Sequence, residues 1–77
     1  MRTIHTRKED ENMVLIRTAL QEDGVVEVVN EYETFYGTDF DRWLKNGLKD
    51  MDCTFEVLSW CKWYNYPWDY KITLNAI

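Results

Sequence analysis

The chain has 77 residues, which is enough for one domain and too few for two. Charged residues make up 30% of it and the net charge is −5, while no segment has the roughly 20 apolar residues that a membrane span requires, so we predict no membrane segment. Four Trp, five Tyr and three Phe can each bury about 150–250 Å², which favours a folded domain over a disordered chain.

The first eleven residues are polar, with Ile4 as their one aliphatic side chain. They contain no apolar stretch of the kind found in secretory signals. We therefore predict a mobile N-terminal arm over residues 1–11 and a single α+β domain over residues 12–77.

Two segments rich in β-branched residues follow, 13–21 and 25–36, and an Asp-Gly pair lies between them. This pattern predicts a β-hairpin. A loop with Gly24 in a left-handed bulge places Val26, and not Glu27, opposite the apolar positions of the first strand. Because that register separates apolar from acidic positions better, we expect Glu27 on the exposed face.

The second half of the chain predicts one helix and two strands. Residues 37–50 have helical spacing, with four large apolar side chains on one stripe: Phe40, Trp43, Leu44 and Leu48. Segments 53–64 and 69–77 alternate as strands, with Pro67 in the turn between them. The resulting order is ββαββ, a small two-layer α+β sandwich in which a mainly antiparallel sheet of about four strands carries one short helix on one face.

Alternation along segment 53–64 divides its aromatic side chains between two faces. One face carries Phe55 and Val57 and can meet the helix. The other face carries Leu58, Trp60 and Tyr64, and Trp68 follows in the hairpin. Two interpretations stay open: these rings are covered by other parts of the domain, or they form a partner-facing patch, because Trp and Tyr are enriched at interface hot spots.

No arrangement of side chains indicates catalysis. The single histidine, His5, lies in the predicted arm without an orienting partner, and the two cysteines do not form a CxxC pair. Three acids of the second predicted strand are separated by even numbers of residues and so lie on one face of it: Glu27, Glu31 and Glu33. They fit a solvated sheet face as well as a metal site. We predict no enzyme activity, no metal site and no cofactor.

The acidity is confined to the middle of the chain. Residues 9–41 hold ten acids and one base, whereas residues 42–77 hold four acids and five bases. This balance opposes direct contact with nucleic-acid phosphates. Cys53 and Cys61 lie in one predicted strand, too far apart to pair, which favours a reducing compartment and a cytoplasmic protein, in the host cytoplasm if the protein is phage-encoded.

These features predict a non-enzymatic, acidic protein-binding module that recognises a basic protein. The most concrete version is an inhibitor that presents carboxylates where DNA presents phosphates and so occupies a nucleic-acid-binding protein, as some phage-encoded inhibitors do, a likeness of type that rests on no motif. The alternative is an assembly protein that dimerises through its aromatic sheet face. The candidate partner-binding residues are Glu22, Asp23, Glu27, Glu31, Glu33, Asp39, Asp41, Leu58, Trp60, Tyr64 and Trp68.

Overall fold

A computed structural model describes residues 1–31, 37–61 and 67–75. Within them the chain forms four strands and two helices in the order βαβαββ. Their bounds are β1 Arg2–Thr6, α1 Asp10–Asp23, β2 Val25–Asn30, α2 Gly37–Gly47, β3 Cys53–Trp60 and β4 Pro67–Leu74.

The strands form one mixed sheet in the order β1-β2-β4-β3. Strand β1 runs parallel to β2, because α1 crosses between them, and β4 is antiparallel to both of its neighbours, β2 and β3. The order leaves β1 and β3 as the two edges of the sheet. The α+β class with four strands is therefore as predicted, and the sheet is mixed, with two antiparallel pairings and one parallel pairing.

Both helices pack on the same face of the sheet. Side chains of α1 and α2 share one apolar core with alternate residues of the two central strands, and its fully buried members are Ile16, Ala19, Leu20, Val26, Val28, Phe40, Leu44, Leu48, Tyr70 and Ile72. The rings of Phe40 and Phe55 flank Tyr70, with centroids 5.9 and 6.2 Å from it. The predicted stripe on the second helix is confirmed, with Trp43 partly buried beside Phe40.

The predicted hairpin is wrong, because residues 13–21 belong to helix α1 and not to a strand. Gly24 does have a positive φ of 77°, but it ends the helix, and its N–H donates to the carbonyl of Leu20 at 2.9 Å. An Asp-Gly pair can close either a hairpin or a helix, since both need a residue with positive φ. The described residues therefore contain two helices, and the predicted order ββαββ is wrong.

The N-terminal residues also have a different role from the one predicted. Residues Arg2–Thr6 form β1, which pairs with the last five residues of β2, from Arg2 opposite Val26 to Thr6 opposite Asn30. A five-residue strand that contains Ile4 and four polar side chains carries little apolar signal of its own. Its place is decided by the neighbouring strand, which offers a free edge.

Candidate protein-binding surface

The face of the sheet opposite the helices, called here the open face, is not covered by any helix or strand of the described residues. Alternate residues of β1, β2 and β4 that are in register with one another form this face. Alternate residues of β3 continue it as far as Leu58. Its members are Thr3, His5, Val25, Glu27, Val29, Thr54, Glu56, Leu58, Asp69, Lys71 and Thr73.

One row of charged positions crosses three strands of the open face. Glu27 on β2 and Glu56 on β3 are both in register with Lys71 on β4, so one basic position lies between two acidic ones. Opposite charges on neighbouring strands stabilise a sheet by about 0.2–1 kcal/mol. The Thr3 hydroxyl at the β1 end donates to Glu27 Oε2 at 3.2 Å. The row keeps one carboxylate in excess, so the middle of the face is negative.

The exposed apolar side chains of β3 lie at the end of this row. The alternation predicted for β3 is confirmed from Cys53 to Trp60, and Leu58 and Trp60 are 43% and 55% exposed. The pairing with β4 shifts register on both sides of Ser59, which marks a bulge. Such bulges increase local twist and re-aim side chains at the rim of a sheet. Leu58 and Trp60 therefore present a large apolar surface at one corner of the molecule.

Two further acids lie where β2 ends and β4 begins. Asp69 stands in register with Val29 on the open face, and its Oδ1 atom is buried without a hydrogen-bond partner. Glu31, just after β2, has a side chain 49% exposed, with Oε2 4.0 Å from Nδ1 of His5. Glu56 and Asp69 are not among the residues chosen from the sequence. Glu56 could have been found there, since it precedes Leu58 by two positions in the same alternation.

The other predicted acids lie apart from the open face and have partners within the chain. Glu22 and Asp23, at the end of α1, both form ion pairs with Arg2, the second at 3.1 Å. The hydrogen bonds and charges of these acids raise the pKa of the Arg2 guanidinium. These two carboxylates anchor β1 to α1 and do not converge with Glu27.

The acids of α2 also have local partners. Asp39 lies 3.4 Å from Arg42, and Asp41 accepts the Tyr70 hydroxyl while lying 3.2 Å from Lys45 Nζ. The pKa of the Tyr70 phenol is raised well above its usual value, mainly by burial and secondly by the hydrogen bond to Asp41. Asp41 therefore fixes α2 on the covered side of the sheet.

The three remaining predicted positions are Trp68, Glu33 and Tyr64. Trp68 is half-buried near the start of β4. Glu33 and Tyr64 lie outside the described residues. The structure thus brings Glu27 and Leu58 together on one face, with Trp60 at its corner, and separates them from the acids of both helices.

Other kinds of site receive no support from the described part of the chain. Within ranges 1–31, 37–61 and 67–75 no group of three or more His, Cys, Asp and Glu side chains could hold a metal ion. None of the described helices is long and apolar enough to cross a membrane. No disulfide joins Cys53 and Cys61, and burial raises the pKa of the Cys53 thiol.

The fold and surface define a small α+β protein with one helix-covered sheet face and one open, acidic face. The chain matches no protein-family model, no curated protein and no solved structure.

Proposed function

We propose that this protein is a non-enzymatic binding module that recognises a basic protein through its open face. The observation that carries the proposal is the exposure of Leu58 (43%) and Trp60 (55%) beside Glu56, on a face that no described element covers. Trp side chains with an apolar neighbour and a charged rim are typical of interface hot spots. The same residues contribute little to the core, so their exposure has no structural benefit for the isolated domain.

Electrostatics supports a basic partner. The net charge is −5, and Glu27 and Glu56 share one lysine between them. Carboxylates on the rim of a contact increase the association rate with a positively charged surface and exclude acidic competitors. A partner's Arg or Lys can also lie over the Trp60 ring, a contact of about 0.5–1 kcal/mol at exposed sites.

The more specific form of the proposal is an inhibitor of a nucleic-acid-handling protein in the cytoplasm, acting by DNA mimicry in the manner of phage-encoded inhibitors. The negative charge of the chain supports it. However, four of the predicted acids form ion pairs with an arginine or a lysine of this chain: Glu22, Asp23, Asp39 and Asp41. We therefore assign the contact to Glu27, Glu31, Glu56 and the apolar corner, and not to an extended array of phosphate-like carboxylates.

The experiment is affinity capture with three immobilised forms of the protein. Wild type should retain basic proteins that elute with salt, because exposed charge pairs are screened at high ionic strength. Trp60→Ser should retain much less. Glu11→Ser removes an exposed residue of α1, on the other side of the sheet, and should retain as much as wild type. Equal retention by all three forms, or retention that salt does not affect, would contradict the proposal.

Self-assembly is the second candidate, and the unpaired edge of β3 favours it. A long edge strand is a template for pairing with another copy. Sedimentation at increasing protein concentration separates the two functions. A stable dimer that Trp60→Ser converts to monomer would support assembly, whereas a monomer at all concentrations supports recognition of a foreign protein.

A further inference from the structure

The outer edge of β3 offers backbone hydrogen bonds as well as side chains. Strand β3 has eight residues and β1, the other edge, has five. On its inner side, Cys53–Val57 pairs with β4 in one unbroken register, from Cys53 opposite Leu74 to Val57 opposite Tyr70. On its outer side no strand of the described residues pairs with it. This stretch therefore presents a straight row of N–H and C=O groups.

The sequence of this edge contains few of the features that block strand pairing. Neither proline nor lysine occurs within Cys53–Trp60, and Thr54, Phe55 and Val57 favour extended structure. The bulge around Ser59 ends the regular stretch. An added strand can therefore follow Cys53–Val57 and then meet the side chains of Leu58 and Trp60.

Charge selects which strand can add there. The exposed residues at this edge alternate along the chain: Asp52, Thr54, Glu56 and Leu58. Two acids and one apolar side chain therefore lie in one line along the edge. An incoming strand with basic side chains at alternate positions can face Asp52 and Glu56. A second copy of this chain carries the same acids and the same net charge of −5, so charge favours a basic strand over a second copy at this edge.

We infer that a basic, extended segment of the partner adds to the sheet as a fifth strand along Cys53–Val57. This inference rests on the proposed function and specifies how the partner is held. Main-chain hydrogen bonds to the edge provide affinity, and the acids and the Leu58–Trp60 corner provide specificity. The partner's lysines or arginines lie opposite Asp52 and Glu56, and an apolar side chain meets Leu58.

The test uses a labelled peptide of alternating lysine and valine, as long as β3, titrated with the full-length protein. A second peptide has glutamate in place of lysine. A third keeps the lysine–valine sequence but is N-methylated at two consecutive central residues, so neither edge of the peptide retains all its N–H donors. We expect the first peptide to bind and the other two to bind at least about tenfold more weakly. Amide hydrogen exchange should slow within Cys53–Val57 when the first peptide is added.

Two charge variants provide the matched comparison. Glu56→Lys should weaken binding of the lysine–valine peptide about tenfold, and Glu11→Lys, with the same change of net charge on α1, should weaken it less than about twofold. Since a lysine at position 56 faces Lys71, Glu56→Gln serves as the milder variant and should weaken binding about threefold.

Each contrary result has a definite meaning. Equal binding of the N-methylated peptide overturns strand addition but leaves recognition by side chains, and with it the proposed function. The same holds if no peptide binds while salt-sensitive, Trp60-dependent capture of basic proteins persists. Failure of both the peptides and the capture overturns both proposals. A dimer whose formation protects the Cys53–Val57 amides overturns the inference in favour of a second copy at this edge.

Discussion

The two faces of the sheet differ in how their side chains are used. On the covered face, Val26, Val28 and Ile72 are completely buried beneath two helices. On the open face, the residues between them in sequence, such as Glu27 and Lys71, pair across the strands and remain partly exposed. One strand thus supplies both stability and a contact surface, because successive side chains point to opposite faces.

Each face of the sheet contains one exception to this division. Asn30 is 1% exposed on the covered face, and both of its side-chain polar atoms lack hydrogen-bond partners. Trp60 is 55% exposed, although a ring of that size usually contributes to a core. The first exception lowers the stability of the covered face, and the second supports a role in binding. Substitutions can therefore test whether the division between the faces is real.

The largest expected difference is between two aromatic truncations. Phe40→Ala removes a fully buried ring that contacts Trp43 and Tyr70, and should lower the free energy of unfolding by about 3–5 kcal/mol. Trp60→Ala should lower it by less than about 1 kcal/mol, because the side chain is mostly exposed. Denaturant unfolding of both variants measures the contrast. Similar losses for the two would show that Trp60 belongs to the core.

The buried amide gives the next largest effect, with the opposite sign. Asn30→Leu has nearly the same size and removes two unpartnered polar atoms, so it should raise the free energy of unfolding by about 1–3 kcal/mol. Asn75→Leu is the control. It loses hydrogen bonds to Thr54 and Asp52 and should reduce stability by about 0.5–1.5 kcal/mol. Destabilisation by Asn30→Leu would show that the amide has a partner, such as a bound water.

A smaller effect concerns the contact between the two helices on the covered face. A methyl group at Gly47 would lie 2.2 Å from Cε of Met13, so this side chain must move if an alanine is introduced. In a Met13→Ala background, Gly47→Ala should stabilise the protein by about 0.5–1 kcal/mol through helix propensity. In the wild-type background that gain should be cancelled, giving a coupling of about 0.5–1 kcal/mol in a double-mutant cycle. Additive effects would indicate that Met13 relocates without loss.

The smallest effect appears only in acid. Arg17 donates two hydrogen bonds to Asp50, at 2.7 and 2.8 Å, and these bonds lower the pKa of Asp50 from 3.8 to about 2. A carboxylate whose pKa is lower in the folded state stabilises the fold above its unfolded pKa and loses that contribution as the pH falls through the folded value. The melting temperature of Asp50→Asn should therefore be below that of wild type above about pH 4, with the difference disappearing near pH 2.

Arg17→Met provides the control for this pH dependence. It removes the main cause of the pKa shift while leaving Asp50 in place. In the Arg17→Met background, Asp50→Asn should therefore no longer cause a pH-dependent change in melting temperature. A difference between Asp50→Asn and wild type that persists unchanged at the lowest pH would show that Asp50 stabilises the fold by another route.

Local pattern predicted α2 and β3 in the second half of the chain, whereas Pro67, which was expected in the turn, is the first residue of β4. The amphipathic spacing of Phe40, Leu44 and Leu48 predicts α2 and its buried face, and strict alternation predicts the exposed side chains of β3. Each pattern has a single period, and each element packs on one side only, so the interpretation is unambiguous. The candidate residues Leu58 and Trp60 were found for this reason.

The sequence by itself determined the α+β class, the division of β3 into two faces and the net acidity, because these depend on composition and on the period of neighbouring residues. Tertiary structure decided that 13–21 is a helix, that Gly24 ends it and that Arg2–Thr6 is a strand. It also decided which acids form ion pairs, such as Asp23 with Arg2 and Asp50 with Arg17. The physical reason is that these outcomes depend on contacts between residues far apart in the chain, whose free energy exceeds the local preferences of short segments.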